Sequence, residues 1–95
     1  MKKRFLCWHG TSEENAHSIM ETGFDKWTYF AAHLEDALAF GGPFVFAVWF
    51  PDEPTHWQFR IRRRISPKRI KSLTVFMSMT LYGEPQYKSE ADEGT

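Results

Sequence analysis

A single cysteine, Cys7, stands among the 95 residues, which excludes an intramolecular disulfide framework and a cysteine-built zinc site. Long apolar runs are also missing, and no stretch approaches the length that spans a bilayer. The basic opening Met1-Lys2-Lys3-Arg4 leads into an apolar stretch that His9 and Gly10 cut short, too brief for a secretory leader. The expectation is therefore a reduced, cytoplasmic setting with no membrane association. Net charge is absent as well, with twelve Lys and Arg against twelve Asp and Glu. That balance excludes a wholly basic nucleic-acid coat and a wholly acidic protein, while leaving local patches open. There is no internal repeat and no low-complexity linker. Ninety-five residues suit one small domain, with enough chain for one sheet and a few short helices.

Aromatic residues are what the chain has in plenty: 17%, including four Trp and nine Phe. Large rings fill a small core with few positions. Charge is unevenly placed. From Trp57 to Gly83 there is no acidic residue, yet Arg60, Arg62, Arg63, Arg64, Lys68, Arg69 and Lys71 fall there. After Gly83 the balance reverses and apolar groups thin out, so residues 1–83 read as the domain and 84–95 as an acidic, flexible tail.

Arg4 to Trp8 is short, mixed and aromatic, consistent with a first strand ending at His9-Gly10. Thr11 fits a helix N-cap, with Glu14 completing a capping box. Ala16, Ile19 and Met20 then share one helical face, Gly23 ends the helix, and Phe24 packs back on it. Trp27 to Ala31 reads as a second strand. Leu34 to Phe40 reads as a second helix with Leu34, Ala37 and Leu38 inward, closed by Gly41-Gly42. Pro43 to Phe50 is an almost continuous apolar run suited to a sheet centre. Pro51-Asp52-Glu53-Pro54 makes a turn. Trp57 to Ile65 alternates, with Trp57, Phe59, Ile61 and Ile65 on one face, Arg63 intruding there, and Gln58, Arg60, Arg62 and Arg64 opposite. Ser66-Pro67 breaks that strand, and Ile70 to Phe76 supplies another. Strands with two early helices make an α+β domain.

Three segments offer chemistry. Trp8-His9-Gly10-Thr11 joins a strand end to a helix start, where a glycine admits close approach and a histidine offers a donor and an acceptor. Tyr29-Phe30-Ala31 is followed by a short helix carrying Phe40, and the rings of Tyr29 and Phe40 could close on a flat heterocycle. Gln58 lies on the alternating strand, on the side of Arg60. Each has an ordinary reading too: a turn with its cap, two core rings and a solvated amide.

In this order and spacing, the segments resemble the ADP-ribosyltransferase fold, in the branch typified by the poly(ADP-ribose) polymerase catalytic domain. That branch carries His-Gly-Ser/Thr, then Tyr-Phe-Ala, then a helix ending in an aromatic residue, then Glu, Asp or Gln on a later strand. The corresponding residues are His9-Gly10-Thr11, Tyr29-Phe30-Ala31, Phe40 and Gln58. The likeness runs from Phe5 to about Phe76. The segment Ile65-Ser66-Pro67-Lys68-Arg69-Ile70 is similar to one found in the minimal members of phages and bacteria. The resemblance implies a split pair of antiparallel sheets with two short helices near the N-terminus and a cleft between the sheets.

It also implies NAD as substrate, cleaved between nicotinamide and ribose, and no metal. His9 would hydrogen-bond the adenosine-side ribose, and the main chain of Gly10 would hold the nicotinamide carboxamide. Thr11, Phe30 and Ala31 complete the cofactor-binding motifs, while Tyr29 and Phe40 would sandwich the ring. Ala37 stands where many relatives carry a serine. Gln58 stands where relatives usually carry glutamate: its amide oxygen can accept a bond from the nicotinamide ribose but carries no full charge. His9, Tyr29 and Gln58 form the catalytic set, and Glu53 is the fallback acid. The implied activity is transfer of a single ADP-ribose, or slow NAD hydrolysis, with a protein or nucleic acid as acceptor. The rivals are an RNA 2'-phosphotransferase-like enzyme and a weakly active or inactive module that binds NAD or a partner.

The stripe Arg60, Arg62, Arg64 has two readings: a solvated edge strand, or a docking surface for the acceptor. His17 and His33 have no spaced partner for a metal and read as surface residues. Cys7 is expected to point into the packing of the first strand.

Overall fold

The computed structural model describes residues 4–81 and 84–88. β1 (Phe5–Thr11) pairs along its whole length with β3 (Phe44–Phe50), from Phe5 opposite Phe50 to Thr11 opposite Phe44. β3 pairs on its far side with β5 (Ile70–Val75), with a register shift at Ala47/Val48. β1 meets β2 (Thr28–Ala31) at one pair, Trp8 with Ala31, and β2 pairs fully with β4 (Gln58–Ile61). The result is an antiparallel five-stranded sheet in the order β4-β2-β1-β3-β5. The chain is an α+β domain. β1, rather than the apolar run of β3, takes the central position, although β3 is interior as its composition requires. The β1–β2 junction is the thinnest seam of the sheet. β6 (Met77–Leu81) and β7 (Glu84–Lys88) pair separately as a hairpin. β7 takes up the start of the 84–95 tail segment; residues 89–95 lie outside the described residues.

The two helices lie against opposite sheet faces. α1 (Glu13–Thr22) is capped by Ser12, whose hydroxyl accepts from the Asn15 N–H at 3.3 Å. The expected cap, Thr11, is instead the last residue of β1 and is buried. The strand runs past its expected end at His9-Gly10 because Gly10 and Thr11 still have β3 partners, Val45 and Phe44. Glu13 and Glu14 sit in the first turn, where the helix dipole favours negative charge. Gly23 closes the helix with φ 86°, and its N–H reaches the Ile19 carbonyl. α1 buries Ala16 and Ile19, but Met20 is 56% exposed, contrary to the face expected for it. Phe24 and Ile65 then exchange both main-chain hydrogen bonds, at 2.8 and 3.0 Å.

Those bonds explain a shortened strand. The alternation from Trp57 to Ile65 suggests one long strand, but β4 covers only Gln58–Ile61. The chain bends after Ile61, and Ile65 is recruited to Phe24 instead of extending the ladder. Trp57 is exposed rather than inward. Ser66 and Pro67 then start a single 3-10 turn, Pro67–Arg69, before β5.

On the α1 face, Cys7, Phe24, Phe30, Phe46, Val48, Phe50 and Ile65 form the main core with Ala16 and Ile19. Phe24–Phe46 and Phe30–Phe50 meet edge to face at 5.6 and 5.0 Å, the geometry that ring quadrupoles favour. On the other face, α2 (Leu34–Gly41) covers a thinner core of Ala31, Ala37 and Val45, with Trp8, Leu34 and Leu38 around it. α2 crosses β1 at Gly10, where an added Cβ would overlap the Ala37 carbonyl oxygen. The glycine that the motif offers for ligand approach is thus also required for helix packing.

Candidate functional site

A cleft of about 190 Å³ opens beside the β1–β2 seam, beneath α2. β1 contributes Trp8, His9 and Gly10; β2 contributes Tyr29, Phe30 and Ala31; β4 contributes Gln58. α2 supplies Asp36, Ala37, Phe40 and Gly41. His9, Tyr29 and Gln58, which are 49 residues apart at the extremes of the sequence, therefore line one space. Ala31 and Gln58 are register partners, and so are Tyr29 and Arg60, which puts all four on the same face.

His9 is fixed by a hydrogen bond across the seam. Its Nδ1–H donates to the Tyr29 main-chain carbonyl at 2.7 Å, because a carbonyl can only accept. That assigns the proton of a neutral ring to Nδ1 and leaves Nε2 as an acceptor. Phe24 and Phe30 pack against the imidazole at 5.4 and 5.6 Å. Burial pushes its pKa below the ordinary 6.5, partly opposed by the bond to Tyr29. The ring is therefore neutral at physiological pH and suited to accepting a hydroxyl proton in a hydrogen bond.

Tyr29 and Phe40 present accessible rings, 47% and 70% exposed. The Arg60 guanidinium lies over the Tyr29 ring at 4.3 Å, and Trp57 lies 5.9 Å from Phe40. The Phe30 ring is different. It is buried among Phe24, Phe50 and Phe59, so its share of the cleft is structural rather than a stacking surface. Thr11 does not reach this cleft; it lines another, of about 220 Å³, with His9, Asn15 and Ser18 on the α1 side. Glu53 lies apart from the cleft, lining two others formed by the turn around residues 51–56. The smaller of these two, about 230 Å³, is floored by Phe50, Phe59, Ile61 and Ile65 and holds none of the expected site residues except that fallback acid.

Asp36 is the one carboxylate lining the cleft, and the motifs do not point to it. The legible signal is its spacing, four residues before Phe40, which places both on one helical face. Cys7 offers no nucleophile: it is buried, and desolvation pushes its thiol up to about 11. Among the described residues no group of three His, Cys, Asp or Glu side chains could hold a metal, and no helix is long and apolar enough to cross a membrane. His17 stands 4.0 Å from Glu13 on an exposed face, and His33 precedes α2 without capping it.

No family model, curated protein or solved structure matches this chain.

Proposed function

We propose that the cleft binds the nicotinamide end of NAD and that the protein is a mono-ADP-ribosyltransferase of the poly(ADP-ribose) polymerase-like branch. One observation carries this reading: His9, Gly10, Tyr29, Phe40 and Gln58 line a single cleft. Its volume, about 190 Å³, is below the ~300–1,000 Å³ of sites that enclose a whole drug-sized ligand. It suits one ring and its immediate attachments, so the rest of the dinucleotide would lie across the surface. The sheet is one antiparallel five-stranded unit, joined across the β1–β2 seam by the pair Trp8–Ala31, and not the split pair of sheets that the resemblance implies. The reading therefore rests on the cleft and not on the sheet architecture.

In the reaction, the bond between ribose C1' and the pyridine nitrogen breaks with its electron pair going to nitrogen. Neutral nicotinamide leaves, and the ribosyl cation is captured by an acceptor nucleophile that gives up a proton. Tyr29 and Phe40 hold the ring, and the free Nε2 of His9 accepts from a ribose hydroxyl. Gln58 accepts from the other ribose through its amide oxygen. Asp36 supplies the negative charge that an amide lacks; preorganised charge of this kind is the usual means of stabilising such a cation. The acceptor docks beside the cleft, at Arg60 and Arg62. Arg64 is committed elsewhere, pairing with Asp25 at 2.6 Å and reaching the Thr22 carbonyl.

Incubation with labelled NAD tests the reading. Slow nicotinamide release is expected, abolished in His9→Ala and Tyr29→Ala and raised in Gln58→Glu. Unchanged NAD affinity in both alanine variants would remove the site. Tight binding without release would leave the second reading, a non-catalytic NAD module, which the neutral amide at Gln58 favours.

A further inference from the structure

Trp27 has a conformation that its residue type does not favour. The Thr28 N–H and hydroxyl both bond the Asp25 carbonyl, at 3.3 and 2.6 Å, which makes Asp25–Thr28 a β-turn. Trp27 occupies the third position with φ 69°, where such turns call for glycine or asparagine. It is the only non-glycine residue with positive φ among the described residues. A bulky residue there costs about 1–2 kcal/mol. Its N–H, bonded to the Ile61 carbonyl at 2.6 Å, holds it beside β4. Burial does not offset the strain, because the ring is 52% exposed. The Arg62 guanidinium lies over it at 5.8 Å.

The same pairing repeats along the edge. Arg60 covers Tyr29, and Trp57 leans on Phe40. Exposed aromatic residues thus flank β4 at three places, beside Arg62, Arg60 and Trp57. Two carry a guanidinium. Edge protection accounts for Arg60 on β4, but not for half-exposed rings or for a tryptophan in a glycine position.

We propose that this track, from Trp27/Arg62 through Tyr29/Arg60 to Trp57/Phe40, binds single-stranded nucleic acid. Bases stack on the exposed rings and phosphates meet the arginines, the combination such strands require. A duplex keeps its bases stacked inside and cannot use the rings. An acidic peptide would use the arginines and leave the rings idle. The track shares Tyr29 and Phe40 with the cleft, so nucleic acid and NAD would compete for those rings. Binding is measured without NAD, and loss of binding in Trp27→Gly, outside the cleft, tests the track separately from the NAD reading.

The test is fluorescence anisotropy of the full chain with labelled oligothymidylate and oligouridylate, against a duplex of the same length and heparin. Both single strands should bind more tightly than the duplex. Trp27→Gly should weaken them about tenfold while leaving the thermal midpoint unchanged or raised, since glycine accepts the turn conformation freely. Arg62→Ala should weaken them about threefold and lower the salt slope by about one. If Trp27→Gly leaves oligonucleotide affinity intact, or if heparin binds as well as the single strands, the track is not a stacking surface and the proposal fails.

Discussion

The two faces of the sheet use the same kinds of residue for opposite purposes. On the α1 face, Phe24, Phe30, Phe46 and Phe50 turn inward and close a continuous aromatic core. On the α2 face, the buried residues are small, Ala31, Ala37 and Val45, and the large rings of Tyr29 and Phe40 remain exposed at a cleft. Small side chains let α2 approach β1 closely at Gly10 and Gly41, and that approach shapes one wall of the cleft. The larger buried cluster thus lies on the α1 face and the smaller one on the α2 face.

Neighbouring residues of β3 provide the sharpest way to break this contrast. Phe46→Ala, on the α1 face, should cost about 3–5 kcal/mol in urea unfolding. That is much of the total stability of a small domain. Val45→Ala, one residue away on the opposite face, should cost about 1–2 kcal/mol. Equal losses would mean that the two cores are not distinct. Gly10→Ala comes next, at about 1–3 kcal/mol, because the new methyl must displace the α2 backbone rather than a flexible side chain. A neutral result would show that α2 moves freely over β1.

His9, at the seam between the faces, sharpens the contrast through pH. Its folded pKa lies below the unfolded 6.5, so the unfolded chain binds the proton more readily. Its contribution to stability is complete above pH 6.5 and is lost as pH falls from there through the lowered folded value. Unfolding midpoints measured across that range should decline toward acid and flatten in His9→Gln. A decline unchanged by that substitution would assign the effect to other groups. The smallest effect is expected at Tyr29→Ala, which should alter stability by no more than about 0.5 kcal/mol because the ring is half exposed. A large loss would mean that Tyr29 belongs to the core rather than to the cleft.

Much of the architecture is legible locally. Apolar periodicity, the glycines at 23 and 42 and the alternation after Trp57 locate both helices and five strands to within a few residues. Misplacements arise where a distant partner outweighs a local preference. Thr11 has the chemistry of a cap, but β3 holds it in the sheet and Ser12 caps instead. Ile65 alternates with β4, but Phe24 captures its main chain. Met20 has helical spacing toward the core but lies at the edge of the face α1 buries.

The candidate site divides along the same line. Residue types and their order along the chain are sufficient to single out His9, Gly10, Tyr29, Phe40 and Gln58, because imidazole, ring and amide chemistry is intrinsic to each side chain. Whether they meet is settled by strand order: β4 lies beside β2, and α2 folds over β1. Those pairings join segments tens of residues apart, and no local propensity encodes them. The same long-range packing admits Asp36 to the cleft, removes Glu53 and Thr11 from it, turns Phe30 into the core and sets Arg60 over Tyr29.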